Sequence, residues 1–332
     1  MKFQDHLGLD IGSKTIKLVQ LAEAGDGKFS LVALGQADTP AESKDRAKII
    51  SQLVKDTKAT TKQVVISLSE SEVFTRVIEM PQLLEPELTQ AIKWQAEQYV
   101  PVPLPDVVLK HEVLSQENNK MNVLLVAAPS KILNESVSLL SSAGLETMAI
   151  ETEILAVARA LVGADEHSPT TLLVHLGNET TTLSALARGD LTLTQSVATG
   201  GSAIARAVAA ELGLEISQAE EYKRSYGLDE TKLEGKVVTA IKPIVELILA
   251  EIKRVLTFYE TRGGSEPIKR VVLTGGTALL PGLVQFFTEN LNLEVQVGDP
   301  FLAINLNDQQ RQEVAESGPL FATAVGLAMK PT

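Results

Sequence analysis

Gly8-Leu9-Asp10-Ile11-Gly12-Ser13-Lys14-Thr15 ends the first apolar segment of the chain, and a partial copy recurs as Val174-His175-Leu176-Gly177-Asn178-Glu179-Thr180-Thr181. In both copies an apolar stretch reaches a Gly, small hydroxyl or amide residues follow, and an alternating pattern resumes. This pattern predicts a strand, a tight turn and a second strand. Gly lets the backbone approach a ligand closely, and the free N–H groups of such a turn can bind a phosphate. Two such turns predict two related halves that face one ligand.

The end of the first stretch also resembles a Walker A loop, which is a competing interpretation. Two features argue against it. Ser13 stands where that motif requires a second Gly before Lys14, and residues 15–21 alternate like a strand, whereas a Walker A loop opens a helix. A single strand-Gly-strand hairpin is common, so the prediction depends on the pair.

Composition excludes several classes of function. The chain has 332 residues, enough for about two or three domains. Its formal net charge of −12 argues against nucleic acid as a partner, because that affinity rests on cationic side chains. Cys is absent and the four His residues lack metal-ligand spacing. No apolar run approaches the roughly 20 residues that span a bilayer, so we expect no direct membrane insertion and a cytoplasmic location.

The order of elements predicts an insertion in the first half. A helix bounded by Pro86 and Pro101, a hairpin over 107–128, a helix over 130–143 and a strand over 145–150 form a small α+β module. Pro243 is expected to begin the longest helix, which ends near Thr261. The expected organisation is then a first lobe, an inserted subdomain, a return helix with a connector, and a second lobe, over residues 1–83, 84–150, 151–169 and 170–332.

Three motifs in order resemble the actin, Hsp70 and sugar-kinase superfamily. The stretch 8–15 is similar to its first phosphate motif, Leu176-Gly177-Asn178-Glu179-Thr180-Thr181 to its second, and Leu273-Thr274-Gly275-Gly276-Thr277-Ala278 to its adenosine motif. The resemblance implies an α/β, actin-like (RNase H-like, duplicated) fold with two lobes and a small inserted α+β subdomain.

Further segments narrow the resemblance to the PilM family of type IV pilus assembly, which is similar to the division protein FtsA. The matching segments are 76–81, 99–101, 200–207, 219–223, 299–301 and 319–328. The family resemblance implies a cytoplasmic, ATP-binding adaptor with slow or absent hydrolysis. It also implies that the inserted subdomain docks the N-terminal cytoplasmic tail of a PilN-like inner-membrane protein. Other pilus-assembly components are expected partners, so the chain would lie peripheral to the inner membrane.

The resemblance also implies contacts to ATP and Mg²⁺. The expected nucleotide-binding residues are Asp10, Gly12, Ser13, Lys14, Gly177, Asn178, Glu179, Thr180, Gly200, Gly201, Glu220, Lys223, Gly275, Gly276 and Thr277. Asp10 is expected to hold Mg²⁺ through water. Glu151, placed at the start of a helix, is expected to orient the attacking water.

The residues alone leave other interpretations open. Asp10 can be a strand-end carboxylate that caps its own turn, and Glu151 can be an ordinary carboxylate at a helix N-terminus. Glu220 and Lys223 can form a solvated surface pair, and Gly275 to Thr277 can form a plain strand-to-helix turn.

One residue departs from the superfamily pattern. His175 stands where the second phosphate motif usually has Asp, and imidazole is a poor partner for Mg²⁺, which selects oxygen ligands. We therefore expect binding of nucleotide with little hydrolysis.

Two other functions remain as alternatives. A small-molecule kinase of the same superfamily would need a positioned general base, and no motif for one stands out. An FtsA-like filament protein would be supported by an amphipathic membrane helix at the carboxy terminus, and residues 328–332 show none.

Overall fold

The computed structural model describes residues 4–25, 28–117, 119–163, 168–261 and 266–331. The strands are β1 Leu7–Ile11, β2 Thr15–Glu23, β3 Phe29–Asp38, β4 Gln63–Leu68, β5 Phe74–Pro81, β6 Val107–Glu117, β7 Lys120–Pro129, β8 Glu146–Thr152, β9 Thr171–Leu176, β10 Thr181–Ala187, β11 Asp190–Val197, β12 Arg270–Thr274, β13 Glu294–Val297 and β14 Ile304–Asn305. The helices are α1 Ser43–Asp56, α2 Glu85–Tyr99, α3 Ser130–Ser142, α4 Glu153–Leu161, α5 Gly201–Leu212, α6 Ile216–Tyr226, α7 Lys236–Thr261, α8 Leu283–Leu291, α9 Asp308–Val314 and α10 Ala322–Ala328.

Two sheets of the described chain repeat one topology, which confirms the predicted duplicated α/β fold. The first has the strand order β14-β3-β2-β1-β4-β8, and the second has the order β11-β10-β9-β12-β13. In each sheet three consecutive strands form an antiparallel meander, and the first of them then pairs in parallel with a later strand. Such a strand is covered on both faces, which is why β1 and β9 are almost wholly apolar and buried.

Helix α10 closes the first lobe from the C-terminal end of the chain. Its residues are small and all of them are buried, and it packs against β1 and α4. Small side chains allow this close approach of helix to strand, so the end of the sequence completes the core begun by its first strand.

A third sheet, in the order β5-β7-β6, carries α2 on one side. Its first strand begins at Phe74, before the expected boundary at residue 84. Strand β8 and helix α3, assigned by the sequence to the insertion, instead join the first lobe, because β8 pairs in parallel with β4 and α3 packs on α1. We therefore propose that the inserted subdomain spans about residues 69–129.

The longest helix begins before the proline that was expected to open it. Helix α7 starts at Lys236, and Pro243 lies inside it. Val237, Val238 and Ile241 in the added turns are buried. Their burial offsets the hydrogen bond that proline removes. Within the described ranges, no helix combines the length and apolar character needed to cross a bilayer.

Candidate functional site

The two Gly turns have the same local geometry. In the first, between β1 and β2, the N–H of Gly12 donates to Thr15 O at 3.1 Å; in the second, between β9 and β10, the N–H of Gly177 donates to Thr180 O at 2.9 Å. A Cβ on either Gly would lie 2.9 Å from that acceptor oxygen, so both positions require Gly. The pattern noted in the sequence is therefore a structural repeat.

The turns face one another across a cleft between the lobes. Asn178 Nδ2 donates to Ser13 Oγ at 3.1 Å, and Lys14 Nζ lies 2.9 Å from Glu220 Oε2. Both contacts join the first lobe to the second, which places four of the expected nucleotide-binding side chains at one cleft.

Gly200 and Gly201, at the start of α5, contact the second Gly turn. The N–H of Gly201 donates to Gly177 O at 2.9 Å, and Lys223 Nζ donates to Gly201 O at 3.1 Å. Thr277 Oγ1 lies 3.5 Å from Gly177 O. A Cβ on Gly200 would lie 2.6 Å from Asn178 O. The backbone of the second Gly turn is thus in direct contact with the start of α5 and with the segment after β12.

Three more of the expected residues, Glu179, Gly275 and Gly276, lie beside these contacts. Glu179 accepts hydrogen bonds from Asn178 Nδ2 at 2.7 Å and from Ser202 Oγ at 2.9 Å, so it holds the turn against α5. Gly275 has φ of 87°, and its N–H donates to Pro319 O at 3.1 Å. Gly276 is exposed, and a Cβ on it would meet open space.

Glu220 is held by two lysines. Its Oε2 lies 2.9 Å from both Lys14 Nζ and Lys223 Nζ. Burial alone would raise the pKa of Glu220, but the hydrogen bonds from Lys223 and Lys14 outweigh it and hold that pKa below its ordinary value. Burial lowers the pKa of Lys223, and Glu220 opposes that change. The two groups are a structured part of the cleft wall.

Asp10 is paired with a lysine that sequence reasoning missed. Lys17 Nζ donates to Asp10 Oδ2 at 2.9 Å, and the two residues are 8% and 6% exposed. They are direct partners in the antiparallel pairing of β1 with β2. The signal was present in the sequence, because residues equally distant from a tight turn face each other across the hairpin.

His175 lies at the end of β9, next to Thr274 of β12. Burial lowers the pKa of His175 to about 4, helped by Lys17 and opposed by Asp10. The ring is therefore neutral near pH 7. Among the described residues its Nδ1 atom has no hydrogen-bond partner.

Glu151 does not occupy the position expected of it. It lies in β8 and not at a helix start, and its carboxylate accepts from Arg159 Nη1 and Nη2 at 2.8 and 2.9 Å and from Lys330 Nζ at 2.7 Å. Its side chain is 4% exposed. Three hydrogen bonds from these two cations engage both carboxylate oxygens, so Glu151 stabilises the contact of β8 with α4 and the C-terminal segment.

Glu153, the first residue of α4, lies near Asp10. Burial raises the pKa of Glu153 to about 8, and the negative charges of Asp10 and Glu70 add to that effect. Glu70 is itself buried, which raises its pKa. The role expected of Glu151 rested on its place at a helix start, and the helix begins at Glu153.

Comparisons with known proteins agree with this architecture. A solved structure of a PilM-PilN type IV pilus biogenesis complex contains a chain 28% identical to this one, with a TM-score of 0.86 over 99% of this chain and 100% of that chain. MreB5 of Spiroplasma citri bound to AMPPNP shares the fold, with a TM-score of 0.51 at 14% identity over 98% of this chain and 95% of that one.

A sequence relative is the cell division protein FtsA of Pseudomonas aeruginosa, 28% identical over 205 residues, which are 56% of this chain and 48% of that protein. The chain thus spans about half the length of this curated relative. The model of the family described as type IV pilus assembly protein PilM matches residues 8–332. Its two lobes have one topology, and paired Gly turns face each other across the cleft. Since the family model matches nearly its whole length, the chain belongs to the PilM family.

Proposed function

We propose that the chain is an adenine-nucleotide-binding adaptor of type IV pilus assembly, in which the nucleotide sets how the two lobes meet. The observation that carries this proposal is the pair of equivalent Gly turns, Gly12 and Gly177, which face each other and are bridged by Asn178 and Ser13. A ligand with several phosphates can bind both turns at once. A single-phosphate ligand would engage only one lobe.

The cleft residues supply the contacts that such a ligand needs. Backbone N–H groups of the turns, with Ser13, Lys14, Asn178 and Thr180, would donate to the phosphates. Glu220 would accept from the ribose hydroxyls, with Lys223 beside it. The backbone at 275–277, where Gly276 is open to the cleft, would lie along the adenine. A hydrogen bond to a charged group contributes roughly 1.5 to 3 kcal/mol, so three or four support micromolar affinity.

Hydrolysis is expected to be slow. A general base must be ionised at working pH, and the raised pKa of Glu153 keeps that carboxyl largely neutral near pH 7. Glu151 is occupied by Arg159 and Lys330 and is not proposed as a catalytic group. Asp10, expected to hold Mg²⁺, is already paired with Lys17. The metal is therefore not part of this proposal.

The nucleotide proposal is tested by calorimetry with ATP beside a phosphate-release assay. We expect micromolar binding with little turnover. Lys14→Met should weaken binding by about tenfold, which corresponds to roughly 1.4 kcal/mol. Lys44→Met, which changes an exposed lysine on α1, is the matched control. Absence of ATP binding by the native chain would refute the proposal.

For the partner, we propose that a PilN-like tail docks beside the inserted subdomain. A cavity of about 330 Å³ lies where the β5-β7-β6 sheet faces β8 and α4 of the first lobe. It is lined by apolar residues, among them Val108, Leu124, Val126 and Leu155, and by charged residues of both signs, among them Lys110, Glu112, Glu151 and Lys330. This lining suits a short peptide that buries a few apolar side chains and has polar residues on either side of them.

The docking proposal is tested with a synthetic peptide of the tail. Val108 is 39% exposed at the cavity, and Val137 is 43% exposed on α3 outside it, so Val108→Glu and Val137→Glu make the same change at two sites. We expect the first to lower peptide affinity by about tenfold or more and the second to leave it unchanged. Equal affinities for the two variants would place the docking site elsewhere.

A further inference from the structure

We propose that the cleft holds its nucleotide without a tightly bound divalent cation, because Lys17 supplies the positive charge beside Asp10 and His175 withholds the oxygen ligand that Mg²⁺ needs. This inference rests on the nucleotide binding proposed above. It concerns which form of the ligand this site selects, free ATP or its magnesium complex.

The first observation is the place of the Lys17 ammonium. It lies 2.9 Å from Asp10 Oδ2, with both side chains nearly buried, at 10% and 9% exposure. It also lies 3.8 Å from the point where a Cβ on Gly12 would stand, so it sits directly beneath the first phosphate turn. A cation bound to Asp10 through water would therefore share the carboxylate with a like charge. The phosphates, by contrast, would meet a fixed positive charge already in place.

The second observation is on the strand that leads into the opposite turn. His175, at the end of β9, has its Nε2 atom 4.0 Å from the point where a Cβ on Gly177 would stand, and its Nδ1 atom is buried without a partner among the described residues. Mg²⁺ selects oxygen ligands in near-octahedral geometry, so an imidazole at this position contributes little in either protonation state. The second lobe consequently offers no carboxylate to complement Asp10.

The remaining acidic groups do not form a metal centre. Glu153 interacts electrostatically with Asp10 and with Glu70, and its side chain accepts a hydrogen bond from the backbone of Glu70. Within the described ranges of the chain, no cluster of three or more His, Asp or Glu residues has a geometry that could hold a metal ion. Lysines, in contrast, line both sides of the cleft, at Lys14, Lys17 and Lys223.

The triphosphate would thus meet ammonium groups that Asp10 and Glu220 already hold in place. An ammonium held in position at low exposure needs no reorganisation when the anion arrives. The chain therefore replaces a mobile metal ion by side chains of its own sequence, chiefly Lys17 and Lys14. A site of this kind binds nucleotide for its effect on shape, since the metal that assists phosphoryl transfer has no firm position in it.

The experiment compares ATP affinity by calorimetry in excess EDTA and in excess MgCl₂, for the native chain and three variants. For the native chain we expect the two dissociation constants to agree within about threefold. His175→Asp adds the missing carboxylate and should make binding at least about tenfold tighter with Mg²⁺ than with EDTA. His175→Asn has a similar size and adds no charge, so its ratio should stay near that of the native chain.

Lys17→Met tests the other half of the inference. It removes the ammonium and frees Asp10, so we expect affinity in EDTA to fall by about tenfold or more and Mg²⁺ to restore part of it. Circular dichroism and thermal unfolding of each variant separate a binding effect from loss of the fold. A second readout is Mn²⁺ affinity by electron paramagnetic resonance, which should be no higher for the chain with ATP than for ATP alone.

Each outcome decides one question. Binding in both media with similar affinity supports the inference. Binding of the native chain only with Mg²⁺ overturns it while leaving nucleotide binding intact. Absence of ATP binding in both media refutes the proposed function and the inference with it.

Discussion

Lys14 Nζ lies 2.9 Å from Glu220 Oε2, and this ion pair joins the first phosphate turn to helix α6 across the cleft. Glu220 also binds Lys223 within its own helix. The side chains of Lys14, Glu220 and Lys223 are 38%, 13% and 8% exposed. The two lysines therefore differ in how much each depends on the Glu220 carboxylate.

We predict that the two partners of this bridge respond differently to removal. Lys14→Met should lower the free energy of unfolding by less than about 1 kcal/mol, because the Lys14 side chain is partly exposed and Glu220 keeps Lys223 as its partner. Glu220→Ala should cost about 2 kcal/mol or more, because it leaves the buried Lys223 without its carboxylate. Urea denaturation measures both. Equal losses would show that Lys223 does not depend on Glu220.

A second prediction concerns adjacent glycines after β12. Gly275 has φ of 87°, and a Cβ on it would overlap the carbonyl oxygen of Leu176, so Gly275→Ala should destabilise the second lobe by about 2 kcal/mol or more. Gly276→Ala is the control, because a Cβ there meets open space. Thermal unfolding of the two variants gives the comparison. A Gly276→Ala variant as unstable as Gly275→Ala would contradict the close packing described here.

A third prediction separates structure from chemistry at Glu151. Glu151→Ala leaves Arg159 and Lys330 without their shared carboxylate, and breaking a buried pair in this way costs about 3 to 5 kcal/mol. Any residual ATP turnover per folded molecule should be unchanged, because the carboxylate is bound to the C-terminal segment and does not face the nucleotide. Denaturation curves and single-turnover phosphate release test the two statements separately. A selective loss of turnover in a stable variant would restore the catalytic role expected from the sequence.

A fourth prediction follows from the raised pKa of Glu153, about 8 against an ordinary 4.5. The folded chain holds a proton that the unfolded chain releases between these values, so the contribution of Glu153 to stability is greatest below pH 4.5 and falls as pH rises toward 8. Glu153→Gln should remove part of this decline, so the variant should gain stability relative to the native chain between pH 5 and pH 9. Urea denaturation across that range measures the difference.

The control for this pH series is Glu97→Gln, which changes an exposed glutamate on α2. Its stability should follow that of the native chain at every pH. A pH dependence of Glu153→Gln identical to that of the native chain would show that Glu153 ionises as freely as a solvated carboxyl group.

The local motifs were predictable because each depends on a few neighbouring residues. Gly12 and Gly177 sit in turns whose geometry excludes a side chain, and the alternating residues after them form the strands β2 and β10, although the structure buries these strands on both faces. Repetition of the turn also predicted the duplicated fold, which the two sheets confirm.

The boundaries of the elements and the contacts between distant segments were harder to predict from the sequence. Strand β8 was assigned to the insertion because it follows α3 in the chain, yet hydrogen bonding to β4 places it in the first lobe. Helix α7 runs through Pro243 because distant residues bury its first turns. Both outcomes depend on segments far away in sequence, and local preference gives way to burial in such cases.

The sequence by itself determined the two Gly turns, the order of the motifs and the family. Only the tertiary structure decided that Lys17 pairs with Asp10, that Arg159 and Lys330 hold Glu151, and that Lys14 meets Glu220 across the cleft. The physical reason is one of range. A turn is fixed by the dihedral angles of adjacent residues, whereas the charge of a carboxylate and its freedom to act are fixed by whatever the folded chain brings within a few ångströms of it.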